Sequence, residues 1–130
     1  MAKSVFLLDD DDDDIFMLTD CLLRVDKNLQ IAAFNDSEDA LDTLLTGKIG
    51  IPDLIFIDLN MPKIMGPQCL EIIRGHKAFE TSTIVMISTT MSDQDTSRHV
   101  SNGANFAVKK PAKVEEYCQL LTRIIELNQQ

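Results

Sequence analysis

Val5-Phe6-Leu7-Leu8 runs without a break into Asp9-Asp10-Asp11-Asp12-Asp13-Asp14. Four consecutive apolar residues do not alternate between a wet and a dry face. An extended segment of this kind is covered on both sides, as in the interior of a parallel sheet. The pattern returns at Leu54-Ile55-Phe56-Ile57, which ends in Asp58, and at Ile84-Val85-Met86-Ile87, which ends in Ser88-Thr89-Thr90. Two weaker runs read as edge strands: Leu29–Phe34 is less apolar, and Phe106–Val108 stops at Lys109-Lys110-Pro111.

The segments between these runs carry helical spacing. Asp12 to Val25 places Ile15, Leu18, Leu22 and Val25 on one stripe. Ser37 is placed to cap a helix through Leu45 that stops at Gly47. Pro67 suits a first helical turn ahead of Leu70, Ile72 and Ile73. Ser92 with Asp95 is a variant of the capping box and opens a fourth helix to Asn102. That helix is poor in strong helix formers and reads as marginal and mobile. Val114 to Leu127 forms the fifth, with Val114, Cys118, Leu121 and Ile125 on its core face. Five strand–helix alternations predict a three-layer α/β domain spanning 1–130, with right-handed crossovers and no second domain.

Composition agrees with one packed unit and excludes several classes. The chain has 130 residues, 45% of them hydrophobic and 25% charged, enough for a core at this length. Twelve Lys+Arg against 21 Asp+Glu give a net charge of −9. A direct DNA binder needs a basic face, so a cation or a basic protein surface is the expected partner. No apolar stretch approaches the about 18 residues of a membrane span, and nothing resembles a signal peptide, so a cytoplasmic location is expected. Cys21, Cys69 and Cys118 are odd in number and set among apolar residues. They read as reduced core residues, not as a disulfide framework.

The chemistry collects where strands end. Asp11 to Asp14 are explained as first-turn acids favoured by the helix dipole. Asp9 and Asp10 are not. They stand at the carboxyl end of a central strand, where open α/β sheets place ligands, and Asp58 stands at the same edge. Adjacent carboxylates that stay ionised need a cation nearby. Hard oxygen ligands without His or Cys favour Mg²⁺. An EF-hand fails on spacing: counting from Asp9 it needs glycine and glutamate where Asp14 and Asp20 stand. No P-loop is present. Ser88 adds a hydroxyl and Lys110 an ammonium to the same edge. Carboxylate, metal, hydroxyl and ammonium around one pocket are what phosphoryl transfer requires.

These residues resemble those of a bacterial two-component response-regulator receiver domain, of the single-domain, chemotaxis-receiver-like kind. The resemblance rests on Leu8-Asp9-Asp10-Asp11, Pro52 through Pro62, Gly66, Ser88-Thr89, Gly103-Ala104-Asn105 and Lys110-Pro111, and covers nearly the whole chain. It implies a flavodoxin-like (βα)5 fold with strand order 2-1-3-4-5. It implies Asp58 as phosphoacceptor, Asp10 as direct Mg²⁺ ligand, Asp9 acting on the metal through water and Asn60 giving its backbone carbonyl. Ser88 and Lys110 would bind the phosphoryl group. The donor would be a histidine kinase or a histidine phosphotransfer protein. The readout would be protein–protein contact with an unknown downstream protein, without an output domain. Such a protein is not an enzyme in the usual sense: with Mg²⁺ it phosphorylates and dephosphorylates itself at an aspartate.

Three departures stand out. Ala107 occupies the position usually held by the aromatic switch residue, and Phe106 beside it points to the other face. Met65 replaces the acid often found before Gly66, and Thr90 sits at the position that, with Asn60, influences dephosphorylation. Ala107 supports a second reading, a receiver-like protein-binding module without phosphotransfer. Phe16, Met17 and Leu23 exceed the first helix's core stripe and offer either a docking face or a wide core stripe. Leu120 and Leu127 offer a surface for a weak homodimer.

Overall fold

A computed structural model describes residues 3–128. In chain order the elements are β1 (Ser4–Leu8), α1 (Asp12–Val25), β2 (Gln30–Phe34), α2 (Ser37–Leu45), β3 (Leu54–Asp58) and α3 (Gly66–Arg74). They continue through a 3₁₀ turn (Lys77–Phe79), β4 (Thr83–Ser88), α4 (Asp93–Ser101), β5 (Phe106–Lys109) and α5 (Val114–Asn128). The strands form one parallel sheet ordered β2-β1-β3-β4-β5, the flavodoxin-like order expected. The weaker runs are the two edges, as their composition predicts.

The unbroken apolar runs are explained by the two faces they serve. Val5, Leu7, Leu54, Phe56, Val85 and Ile87 point toward α1 and α5. Their neighbours Phe6, Leu8, Ile55, Ile57, Ile84 and Met86 point toward α2 and α3. A polar residue at any of these positions would be buried against a helix on one side or the other. Leu8 pairs in register with Phe34 and Ile57, and Asp58 with Ile87. The strand ends that carry the polar residues are therefore level along one edge.

Local capping differs in one place from expectation. Asp36, not Ser37, caps α2, its side chain accepting from the backbone N–H of Glu38 and Asp39. Asp is as good a cap as Ser, and the Ser37 hydroxyl is used elsewhere. It donates to the Pro62 carbonyl at 3.2 Å and accepts from the Ile64 N–H at 3.1 Å, holding the loop after β3. The Ser92–Asp95 capping box forms as predicted. Only His99 of α4 is buried, which fits the helix's poor apolar content.

On α5 the core face is rotated from the predicted stripe. Tyr117, Leu121, Ile124 and Ile125 are buried, whereas Val114 is exposed at the first turn. Cys118 is half-buried beside this face, and here the reduced-cysteine expectation fails. Cys21 of α1 and Cys118 of α5 are joined by a disulfide, with Cα atoms 5.0 Å apart. Spacing along the chain could not reveal it, because 97 residues separate the pair and only the packing of α1 on α5 brings them together. Cys69 alone is free, buried on the other face of the sheet.

Arg74, which the sequence did not mark, ties the far end of the domain. Its guanidinium donates to the carbonyls of Gly103 (2.7 Å), Phe79 (2.7 Å) and Ser82 (3.0 Å) and to Asn105 Oδ1 (2.8 Å). Asn105 Oδ1 also accepts from the Ile84 N–H at 2.8 Å. The Gly103-Ala104-Asn105 motif thus acts as a structural clamp at the edge opposite the acidic loops.

The bridge closes a long loop, and a native bridge of this kind contributes about 2–5 kcal/mol. Urea unfolding followed by circular dichroism, with and without reductant, is expected to show a loss of that size in the reduced chain. Equal midpoints would mean the two helices gain nothing from the link.

Candidate functional site

The acidic loop is built by strand and helix ends in sequence. β1 stops at Leu8, and the Asp9 N–H bonds the Phe34 carbonyl at 3.1 Å, which turns the chain at the sheet edge. Asp9 Oδ1 then accepts from the Asp11 N–H at 3.0 Å, and Asp11 caps α1. Asp58 is the last residue of β3 and Ser88 the last of β4. The Lys110 N–H bonds the Ser88 carbonyl at 2.8 Å and fixes the lysine beside β4.

The side chains converge. Asp9, Asp10 and Asp58 each bring a carboxylate oxygen within 4.8 Å of the other two. Asp9 and Asp58 are buried and Asp10 is exposed, so the cluster has an inner wall and an outer opening. Lys110 Nζ lies 2.8 Å from Asp9 Oδ2, 2.9 Å from Asp14 Oδ2 and 3.3 Å from Asp58 Oδ1. Asn60 Nδ2 donates to Ser88 Oγ at 3.3 Å, and the Thr90 N–H donates to the same hydroxyl at 3.2 Å. The predicted residues thus form two touching groups: the acids with Lys110, and Ser88 with Asn60.

Electrostatics follow from this packing. Burial, reinforced by the Asp9 charge, pushes the Asp58 carboxyl up to about 6 despite Lys110. Asp9 is also raised by burial, with the Lys110 hydrogen bond opposing. Burial alone would lower the Lys110 ammonium, but its bonds to Asp9 and Asp14 outweigh this and hold it above the usual lysine range. The lysine therefore stays charged. Two buried acids, oxygen-only donors and one exposed carboxylate suit a hard divalent cation such as Mg²⁺.

Two participants escaped sequence reading. The helix dipole alone accounts for Asp14 in the sequence, yet its carboxylate binds Lys110; nothing local sets it apart from the other first-turn acids. Tyr117 is buried on α5 with no partner for its hydroxyl among the described residues, and burial raises its phenol. Nothing in the local sequence distinguished it from an ordinary core position. Ala107 is buried on the α3 face of the sheet while Phe106 packs on the α1–α5 face. The alternation argument for that departure holds.

The loop after β3 depends on close backbone approach. A Cβ on Gly66 would overlap the Asp58 carbonyl oxygen and come within 2.7 Å of Leu59 Cα. The Gly66 N–H bonds the Leu59 carbonyl at 3.0 Å, closing the loop. Lys63 in the same loop has φ +66°, a left-handed conformation that is costly for a side chain.

Comparison with known proteins agrees with this geometry. Residues 5–122 match the response regulator receiver domain family, and the chain belongs to that family. The members of this class are phosphorylation-dependent signalling domains of two-component systems. Among similar proteins is the probable methanogenesis regulatory protein FilR2 of Methanothrix harundinacea, 26% identical over 94% of this chain and 81% of that protein. The sensor histidine kinase CheAY of Helicobacter pylori is 28% identical over 95% of this chain, which spans only 15% of that protein. Among solved structures, the phosphorylated cyanobacterial phytochrome response regulator RcpA superposes with a TM-score of 0.88 at 24% identity, covering 98% of this chain and 94% of its own. The Mn²⁺-bound response regulator Rcp1 superposes with a TM-score of 0.81 at 20% identity, over 94% and 91%. At these identities the likeness establishes the fold.

Gly66→Ala is expected to lower the unfolding free energy by about 1–3 kcal/mol, the cost of overpacking. Gly50→Ala, where a Cβ meets nothing within 4 Å, is expected to stay within about 0.5 kcal/mol. Urea titrations of the two variants check the contrast.

Proposed function

We propose that the chain is a phosphorylation-dependent switch that accepts a phosphoryl group on Asp58. The observation that carries this reading is the convergence of Asp9, Asp10 and Asp58 beside one ammonium, with Lys110 Nζ 3.3 Å from Asp58. In the reaction an Asp58 carboxylate oxygen forms a bond to phosphorus. The bond from phosphorus to the donor's imidazole nitrogen breaks, and that nitrogen keeps the electron pair and takes a proton. Asp58 is mostly ionised at neutral pH with its carboxyl near 6, so it can serve as the nucleophile.

The other residues answer the charge that arrives. Lys110 neutralises one phosphoryl oxygen, moving a short distance from its present partners Asp9 and Asp14. The Ser88 hydroxyl donates to another, exchanging its contacts with Asn60 and Thr90. Asp9, Asp10 and Asp58, with the Asn60 backbone carbonyl, would hold Mg²⁺, which supplies positive charge against the phosphoryl oxygens. Charge added at Asp58 shifts the loops after β3 and β4, and the altered surface is read by another protein.

The phosphodonor is a histidine kinase or a histidine phosphotransfer protein. The net charge of −9 supports a protein readout over direct DNA contact. No helix among the described residues is long and apolar enough to cross a membrane, which is compatible with a cytoplasmic site of action. The second reading, a binding module that does not take phosphate, is favoured by Ala107 alone.

Incubation with phosphoramidate and Mg²⁺, followed by intact mass, is expected to show one added phosphoryl group. Asp58→Asn and EDTA should each abolish it; an unmodified wild-type chain would favour the binding module. Mg²⁺ alone is expected to stabilise the wild type by about 1.4 kcal/mol at ten times its Kd. Thermal melts of Asp10→Asn should show this gain reduced or lost.

A further inference from the structure

The Cys21–Cys118 bridge lies outside the chemistry proposed above, yet it joins the two helices that frame it. Cys21 is fully buried on α1 and Cys118 is half-buried on α5. Cys118 is thus the more exposed residue of the pair. The Cα separation of 5.0 Å is within the roughly 4.4–6.8 Å that a disulfide spans without backbone movement. Cys69 takes no part: it lies across the sheet, and burial pushes its thiol up to about 11, leaving almost no thiolate at neutral pH.

The bridge is aligned with the site. Seven residues are close to two turns of an α-helix, so Asp14 and Cys21 share one side of α1. On α5, Cys118 follows Tyr117, which is packed into the core between the two helices. The bond ties the strip of α1 that carries Asp14 to the second turn of α5, a helix that begins four residues after Lys110. The Lys110 ammonium is 2.8 Å from Asp9 and 2.9 Å from Asp14 but 3.3 Å from Asp58. It sits closer to the two acids of the β1–α1 segment than to the carboxylate that would receive phosphate, while still in contact with all three.

We infer that Cys21 and Cys118 form a reversible thiol–disulfide site that exchanges with a small thiol and its disulfide, and that the closed bridge slows phosphoryl capture by keeping Asp14 on Lys110. The first half stands on the geometry of the pair; the second rests on the Asp58 reading. A bridge in a reducing compartment is typically transient and redox-sensing. In the opening step a small thiolate attacks Sγ of Cys118, the more exposed residue of the two. The Cys21–Cys118 bond breaks, a mixed disulfide forms on Cys118, and Cys21 leaves as a thiolate and takes up a proton. A second small thiolate attacks the outer sulfur of the mixed disulfide. It releases Cys118 as a thiolate, which is protonated in turn, and yields one molecule of the small disulfide. Two thiols are oxidised and one protein disulfide is reduced.

The test uses the wild-type chain equilibrated in buffers of varied reduced-to-oxidised glutathione ratio. Thiols are counted by alkylation after denaturation, and the rate of phosphoryl mass gain from phosphoramidate is followed at fixed Mg²⁺. The alkylated count should move between one and three of the three cysteines as the ratio changes. Phosphorylation should run about two- to thirtyfold faster in the reduced form, the range of coupling carried through packed elements. Cys118→Ser, at the half-buried position, should show the fast rate in every buffer. Asp14→Asn should remove the difference while leaving the exchange intact. A count that stays constant across all ratios overturns the redox site, and equal rates in both forms overturn the coupling. A chain that exchanges thiol for disulfide but gains no phosphoryl in either form keeps the redox site and overturns the Asp58 reading instead.

Discussion

Lys110 Nζ is shared by carboxylates from two chain segments that are far apart in sequence: Asp9 and Asp14 at the start of the domain and Asp58 at its middle. The lysine itself is only 8% exposed. A buried cation without partners would cost several kcal/mol, and so would the buried acids without it. Each therefore makes the other tolerable. This arrangement explains how an acidic chain keeps two aspartates inside a strand-end pocket, and why β5 must end beside β4, where the Lys110 backbone is held by Ser88.

The same exchangeability makes the pocket a switch. Lys110 satisfies three acids imperfectly instead of one fully, and Ser88 is held by weak contacts of 3.2–3.3 Å to Asn60 and Thr90. Groups held by long or shared bonds can be redirected by new charge at modest cost. Helix α4, which packs against β5, buries only His99, the fewest residues of the five α-helices. Few buried apolar contacts are the mark of a segment that opens at low cost.

Between α1 and α5 the fold is reinforced differently from the other face. The α2–α3 side is closed by apolar packing and by the Arg74 clamp, which gathers three carbonyls and Asn105. The α1–α5 side carries the covalent bridge and the Tyr117 hydroxyl, which has no partner among the described residues, in one layer. The two acids that grip Lys110 most closely both come from the β1–α1 segment. Of these two, Asp14 lies on α1 itself, about two turns before Cys21.

Much of this was readable along the chain. Unbroken apolar runs specified buried parallel strands, because such residues are tolerated only where helices cover both faces. Asp9, Asp10, Asp58, Ser88 and Lys110 were legible because each stands within two residues of the end of an apolar run, and a strand end is a place defined by sequence alone. What packing decided involved pairs without a local signature. Asp14 looked like a dipole acid, Val114 like a core residue, and Cys21 and Cys118 like two unrelated thiols, since periodicity gives a helix's stripe but not its rotation against a neighbour. Only the docking of α1 on α5 sets that rotation, and with it which carboxylate meets the lysine and which sulfurs meet each other.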